Sequence, residues 1–453
     1  MNVIIVGDGK VGMTLTKRLL GDGHSVTVID TNQDVLDIST ERFDVMTIQG
    51  NGASMDILQQ ADVKSADLLV AVSGLDEINL LACMTAHGIN PKIHTIARIR
   101  NPEYSNQIYE HKDLFNISMT VNPERQAAIE IDRLLKYPGF LKRDSFAKGR
   151  VELVELKVEE GSKLCDITLN DMENVVKCRV LVCTVGRNGD VFMPGGDFKI
   201  KAGDRLYVTA PMNDLTSLLR NLGMLKHKAK HVLLCGGGRV SFYLAQLLEK
   251  SGVNVQLVEQ NHDRCIELAN ALQNVNVIHG DASSFFLLDQ EGINDCDALV
   301  TMTGLDEMNM IISIYGKKCE VPQIITKVDH TENSMIQDSL PLGSVVCPKD
   351  ICCNNIVRYV RSMQNKQGAA LTIYTIADGK AEASEFLVDE NTLHCGEPLK
   401  NIKIRKNVLI ACIMHGSRIE IPSGDSTFEE DNHLIVVSSE GEPIRNINDI
   451  FEE

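Results

Sequence analysis

A chain of 453 residues is too long for one hydrophobic core, and at roughly 150 residues per domain it implies three or four domains. Its 43% hydrophobic and 24% charged residues are those of a folded globular protein, not of a disordered one. A net charge of −17 speaks against wrapping nucleic acid, or lying on an anionic bilayer, through the general surface.

The opening run, Met1-Asn2-Val3-Ile4-Ile5-Val6-Gly7, reads as a strand entering a glycine turn, without the charged n-region or cleavage pattern of a signal peptide. Apolar strands span Val3–Val6, Val26–Ile29, Val45–Ile48, Leu68–Val72 and Ile93–Ala97. Helical patterns separate them, such as Met13–Leu20, where Leu15, Leu19 and Leu20 share a face. Short apolar strands alternating with helices imply a parallel sheet covered on both faces, wound right-handedly in both directions. From Val151 the texture changes. Val151–Glu159 alternates apolar and polar residues, Val180–Val185 is rich in β-formers, and Leu206–Ala210 follows a Gly203-Asp204 turn. The same succession then recurs, ending in strands at Glu385–Val388, Val408–Met414 and Leu434–Val437. The expected fold class is α/β: two doubly wound parallel-sheet Rossmann-type domains, each followed by a small α+β domain. The expected limits are residues 1–138, 139–224, 225–365 and 366–453, placed at Tyr137-Pro138-Gly139, near Leu225–Lys230 and near Gln364–Ala369.

Thirteen cysteines, an odd number with no C-x-x-C pair, fit a reduced chain better than a disulfide framework or a zinc site. Cys83, Cys235 and Cys412 lie in apolar runs, where cysteine serves as a small hydrophobe. The basic run from Lys226 to His231 reads as a solvated linker. The longest uncharged apolar stretches, such as Val408–Met414, fall far short of the ~20 residues that span a bilayer, so any membrane role is expected to run through a partner.

The repeat carries the chemistry. Gly7-Asp8-Gly9-Lys10-Val11-Gly12 recurs as Gly236-Gly237-Gly238-Arg239-Val240-Ser241, and Asp30 recurs at the same spacing as Glu259. Ser73-Gly74-Leu75-Asp76-Glu77-Ile78-Asn79 returns as Thr303-Gly304-Leu305-Asp306-Glu307-Met308-Asn309, and Arg98 as Lys327. A G-x-G-x-x-G pattern alone is weak. Here it follows a strand, opens a helix and precedes an acid at the end of the next strand, which is the context that dinucleotide binding needs. Gly7 permits the tight turn, Gly9 lets the backbone approach a pyrophosphate, and Gly12 lets the helix pack close. Phosphates then meet the free N–H groups of the helix start, and Asp30 accepts from ribose hydroxyls while repelling a 2′-phosphate. NAD(H) or an adenine nucleotide therefore fits better than NADP(H). In the second copy Ser241 breaks the glycine pattern, so a different or weaker ligand is expected there. Lys10 and Arg239 share a slot from which a cation reaches a phosphate or simply decorates the helix. Asp76 and Asp306 read as caps of the following helices, with Asn79 and Asn309 three residues in. Asn51 and Asp281 fit a place near the adenine. No histidine has a visible carboxylate partner for acid–base work, so no catalytic residue and no metal site is expected.

With these features in view, the chain resembles the TrkA family of Trk-system potassium uptake proteins, which carry two RCK (regulator of K⁺ conductance) units. The match covers essentially the full length, and Gly161-Ser162 and Gly203-Asp204 fit the small domain's turns, while Asp431-Asn432 departs from them. The resemblance implies a non-enzymatic homo-oligomer, a tetramer, on the cytosolic face of a membrane potassium-translocating subunit of the TrkH or TrkG kind, binding NAD(H), ATP or ADP but no nucleic acid. By position it assigns nucleotide contacts to Gly7, Asp8, Gly9, Lys10, Val11, Gly12, Asp30, Asn51, Ser73, Gly74 and Arg98. A weaker set comprises Gly236, Gly237, Gly238, Arg239, Val240, Glu259, Asp281, Thr303 and Lys327. The residues by themselves leave two other readings open, an NAD-dependent oxidoreductase and a nucleotide sensor for another partner.

Overall fold

The computed structural model describes residues 1–111, 115–147, 150–224, 229–330, 340–364, 368–377, 380–439 and 444–452. Part of the expected linker (residues 225–228) and of the last domain boundary (residues 365–367) lies outside the described residues. The chain divides into two compact units, residues 1–128 with 347–359 and residues 129–346 with 360–453.

The first unit is built on six parallel strands, β1 (Asn2–Val6), β2 (Ser25–Asp30), β3 (Met46–Gln49), β4 (Leu68–Ala71), β5 (His94–Arg98) and β6 (Met119–Val121), in the order β3-β2-β1-β4-β5-β6. Between them run α1 (Lys10–Gly21), α2 (Gln33–Arg42), α3 (Met55–Gln60), α4 (Asp76–Ile89) and α5 (Pro102–Glu110). The strands form because β1 and β4 are almost unbroken apolar runs with nearly every side chain buried, as a sheet covered on both faces requires. Helix α1 buries Val11, Leu15 and Leu19, with Thr16 beside them and Leu20 only half-buried, so the apolar stripe is rotated by one position from that expected. The order reverses between β1 and β4, which makes that carboxyl edge the place where open α/β sheets bind ligands. Residues from far along the chain complete this unit: Arg18 pairs with Asp350 at 2.8 Å, and Cys353 Sγ donates to the Val11 carbonyl at 3.6 Å.

The next helix, α6 (Pro123–Lys136), leads into the small sheet of β7 (Lys142–Phe146), β8 (Val151–Lys157), β9 (Leu181–Arg187), β10 (Asp190–Phe192) and β11 (Arg205–Ala210), antiparallel in the order β10-β9-β11-β8-β7, with α7 (Leu169–Val176) and α8 (Met212–Asn221). Glu152 and Glu155 of β8, three residues apart and so on opposite faces of the sheet, are both buried, each against an arginine. Glu152 accepts from Arg143 Nε at 2.8 Å and Glu155 from Arg205 at 3.1 Å.

The second large sheet repeats the first. Its strands β12 (His231–Cys235), β13 (Asn254–Glu259), β14 (Val275–His279), β15 (Ala298–Thr301), β16 (Gln323–Lys327) and β17 (Ser344–Val346) are parallel in the order β14-β13-β12-β15-β16-β17. Its helices are α9 (Arg239–Lys250), α10 (His262–Ala271), α11 (Phe285–Gln290) and α12 (Asp306–Lys318), and α13 (Pro348–Gln364) follows. Gln323 Nε2 donates to the Leu134 carbonyl of α6 at 2.8 Å.

A second small sheet, β18 (Ala370–Ile376), β19 (Ala381–Leu387), β20 (Val408–His415), β21 (Arg418–Glu420) and β22 (His433–Ser439), is ordered β18-β19-β22-β20-β21. Strand β19 starts at Ala381, earlier than the expected Glu385, because it extends as a hairpin with β18. The two small sheets share a core that includes Phe146, Leu153, Cys183, Ala383, Cys412 and Val437. Phe146 meets Tyr374 edge-on at 5.0 Å, and Ala147 N–H donates to Glu385 at 3.0 Å. The departure at Asp431-Asn432 leaves the turn intact: Asp431 takes the left-handed conformation of Gly203 (φ 65° and 88°) and its N–H bonds the Val388 carbonyl at 3.0 Å, as Gly203 does Val158 at 2.8 Å.

Candidate functional site

The first glycine turn joins β1 to α1. Gly7 has φ 98°, and a Cβ there would fall 2.7 Å from the Ser73 backbone, so only glycine lets the turn close against the end of β4. Gly9 is the N-cap of α1, and a Cβ on it would meet nothing within 4 Å: its backbone is open to an incoming group. No acidic side chain occupies the first turn of α1 or of α9, whereas α4 and α12 each carry two there. The amino ends of α1 and α9 thus keep their orphan N–H groups and partial positive charge for an external anion.

Asp30, at the end of β2, accepts from the Asp8 N–H at 2.7 Å through one oxygen and from the Asn32 N–H at 2.9 Å through the other. A carboxylate has about four acceptor positions, so two remain for ribose hydroxyls. Lys10 is exposed beside the turn, while Val11 and Gly12 are buried and can offer a ligand only their backbone. The Asp8 side chain is fully buried, so it presents no carboxylate to a ligand. Asn51 is exposed after β3, with Oδ1 accepting from the Ala53 N–H at 3.0 Å; Asp281 does the same with Ser283 at 2.9 Å.

The S-G-L-D-E-x-N blocks tie strand ends together. Asp76 and Asp306 are not caps. Leu75 and Leu305 hold the N-cap positions without side-chain bonds, and the acids reach across to the loops after β5 and β16. Asp76 accepts from the N–H groups of Arg100 (2.8 Å) and Asn101 (2.7 Å), and Asp306 from those of Asp329 and His330 (both 2.9 Å). Burial works against ionising Asp306, but the Asp329 N–H, the His330 ring and N–H, and Lys327 outweigh it and hold its carboxyl below the usual range. Asn79 accepts from Ser73 N–H at 2.8 Å and donates to the Arg98 carbonyl at 2.9 Å, and Asn309 joins Thr303 to Lys327 in the same way. Gly74 is held through its carbonyl by Arg100. The Arg98 side chain pairs with Glu124 at 2.9 Å, and Lys327 with Asp329 at 3.4 Å, so both cations already have anionic partners.

The second turn copies the first at Gly236 (φ 102°) and at the open Gly238, and Ser241 bonds back to the Gly236 carbonyl. Glu259 accepts from Gly237 and Asn261, both at 2.7 Å. Arg239 is exposed and Val240 buried. Here lies a cavity of about 450 Å³, lined by Gly237, Gly238, Glu259, Asn261, Asp263, Arg264 and Glu267, within the size range of small-molecule sites. Sequence reading missed Arg264, which donates to the Gly237 carbonyl at 2.9 Å and pairs with Glu267 at 2.8 Å. Its signal was present: the matching residue of the first copy is the uncharged Val35. Among the described residues no group of three or more His, Cys, Asp or Glu is placed to hold a metal, and no helix is long and apolar enough to cross a membrane.

Two sheets of order 3-2-1-4-5-6 with glycine turns at the reversal point, each followed in the chain by a small antiparallel sheet, define a protein that repeats one nucleotide-binding-type architecture twice. The chain belongs to the TrkA family: the TrkA-N domain matches residues 3–123 and 232–348, and the TrkA-C domain residues 153–223. It is 30% identical over 447 residues to the Trk system potassium uptake protein TrkA homolog 1 of Methanosarcina mazei, covering 97% of each chain. It is 31% identical over 451 residues to the TrkA homolog of Archaeoglobus fulgidus, covering 100% of each. Among solved structures it is similar in fold to the GsuK RCK domain, with a TM-score of 0.62 at 17% identity over 97% of this chain and 92% of that one. It also matches the GsuK channel bound to NAD, with a TM-score of 0.60 at 17% identity over 97% of this chain and 77% of that one.

Proposed function

We propose that this chain is a cytosolic regulatory subunit that binds an adenine nucleotide at its glycine turns and thereby gates a membrane potassium-translocating partner. The observation that carries the reading is the first turn: an acid-free helix start facing open backbone at Gly9, with Asp30 hydrogen-bonded to the turn and holding acceptor capacity to spare. NAD(H) is the ligand it fits best, with ATP or ADP as competitors. Contacts run through the backbone of Gly7 to Gly12 and through Asp30, Asn51, Ser73 and Gly74. The second set, Gly236 to Val240, Glu259, Asp281 and Thr303, has Arg264 added to it. The relatives' names point to potassium uptake, and the GsuK channel is described bound to NAD and, in another structure, to ADP. The four stretches 1–138, 139–224, 225–365 and 366–453 serve as two nucleotide domains and two small regulatory ones.

Assembly follows from an apolar stripe that both halves repeat. Leu81 and Met84 on α4, and Ile311 and Ile314 on α12, are exposed at matching positions, with Leu75 and Leu305 beside the clefts 61% and 64% exposed. Equivalent self-complementary patches close into symmetric rings, here a tetramer, whose shape a nucleotide biases through its differential affinity. The acidic chain suits cytosolic loops rich in Lys and Arg on a transporter.

Asp30→Ala should weaken first-turn binding about ten- to a hundredfold, since bonds to a charged acceptor contribute about 1.5–3 kcal/mol. Titration calorimetry with NAD⁺ and ADP checks this, and unchanged affinity would remove Asp30 from the site. In proteoliposomes holding the partner, potassium flux should respond to the subunit with nucleotide, and Asp30→Ala should blunt the response. A monomer to which flux is indifferent, or NADH oxidation that tracks protein concentration, contradicts the reading.

A further inference from the structure

The two glycine turns differ beneath their acids. Asp8 and Ser39 of the first unit stand where the repeat places Gly237 and Leu268 in the second. In the second turn that place is apolar and full: a Cβ on Gly237 would come within 2.7 Å of Leu268 and 2.9 Å of Glu259 Oε2. In the first it holds a carboxyl group. Asp8 is fully buried, and neither of its oxygens, nor the Ser39 hydroxyl, has a hydrogen-bond partner among the described residues. Its own N–H is bonded to Asp30 at 2.7 Å, so the two acids are joined through one turn. The groups facing Asp8 are Asp30 from the end of β2 and Ser39 from α2, while Lys10 at the start of α1 is exposed. A buried carboxyl beside a second carboxylate holds its proton more tightly than in water. Burial foremost, partly offset by the nearby Ser39 hydroxyl and then reinforced by Asp30, pushes Asp8 up to about 6.

We propose that nucleotide binding at the first glycine turn is coupled to protonation of Asp8, and that binding at the second turn is not. The proposal rests on the first turn being a nucleotide site. A bound nucleotide brings phosphate charge to the amino end of α1 and covers Asp30 from solvent. Both changes make an ionised Asp8 more costly and leave a neutral one unaffected. A ligand that raises a group's proton affinity binds more tightly where the group is already protonated. On binding, one oxygen of Asp8 therefore takes up a proton from the solvent, and affinity falls as pH rises through the neutral range. The first cleft thus reads proton concentration, through Asp8, together with nucleotide.

The proton also acts on the free protein. Asp8 titrates higher in the folded chain than its ordinary 3.8, so the folded state binds the extra proton. Stability from this group is full below 3.8 and is lost as pH rises toward about 6.

The test is calorimetric titration of the full chain with NAD⁺, and separately with ADP, between about pH 6 and 8, in buffers of differing ionisation enthalpy. The wild type should take up a fraction of a proton at one class of site, whose affinity drops roughly fivefold across that range, with the other class unaffected by substitution at Asp8. Asp8→Asn should remove both the uptake and the slope. Asp8→Gly, which gives the first turn the second turn's residue, provides the same reading if the amide is not accommodated. Binding without proton uptake in the wild type, or uptake that persists in both variants, overturns the proposal and leaves the nucleotide reading standing. No binding of either nucleotide overturns both.

Discussion

Gly12→Val should remove nucleotide binding at the first turn and destabilise the first unit by about 3 kcal/mol, the upper part of the range for overpacking a close-packed site. A Cβ at residue 12 would lie 2.0 Å from the Gly7 carbonyl oxygen, a backbone atom that no rotamer change can move away. Relief requires α1 to shift off β1, and α1 presents the N–H groups that would meet a phosphate. Helix and cleft therefore fail together. The second turn shows the tolerated alternative, since Ser241 carries its Cβ there and bonds its hydroxyl to the Gly236 carbonyl. Gly12→Ser should accordingly lose less than Gly12→Val. Scanning calorimetry with nucleotide titration checks the order, and a Gly12→Val chain with wild-type unfolding and affinity would remove the close approach from the account.

Asn79→Ala should cost a similar amount, about 3 kcal/mol, by a different route. Asn79 is fully buried, and its amide satisfies the Ser73 N–H at 2.8 Å and the Arg98 carbonyl at 2.9 Å, with a longer bond to the Ser73 carbonyl at 3.3 Å. Truncation leaves a donor and an acceptor with no partner in a place water does not reach, at about 1–3 kcal/mol each. It also frees the loop against which Gly7 closes, so first-site affinity should fall with stability. Hydrogen exchange gives the sharpest reading: the Ser73 amide should lose its protection in the variant. An unchanged rate at Ser73 would mean that Asn79 does not hold the loop.

Much of the cleft is legible in the sequence, and the reason lies in short-range constraints. The turns at Gly7 and Gly236 announce themselves because each must combine a left-handed residue, an open backbone and a close helix within six positions. Asp30 and Glu259 are legible as partners of the turns because a strand length fixes where the next acid falls. Other roles were misread where the nearest partner in sequence was not the nearest in space. Asp76 and Asp306 look like caps from their position, yet their carboxylates go to backbone N–H groups beyond the following strand, at Arg100 and Asp329. Arg98, given a nucleotide contact by position, has Glu124 against it, a partner 26 residues on that no local pattern announces.

By itself the sequence determined the tandem repeat, the alternation of strand and helix, the doubly wound class and the position of both glycine turns. Each is a local periodicity or a spacing that the backbone enforces within one βαβ step. Only the tertiary structure decided that Asp8 lies buried under Asp30, that Arg264 reaches the Gly237 carbonyl, and that Asp350 and Cys353 return from the later half of the chain to pack against Arg18 and Val11. Those outcomes depend on which elements come to share a surface. Side-chain burial and charge pairing are set across that surface, where neighbours along the chain carry no signal.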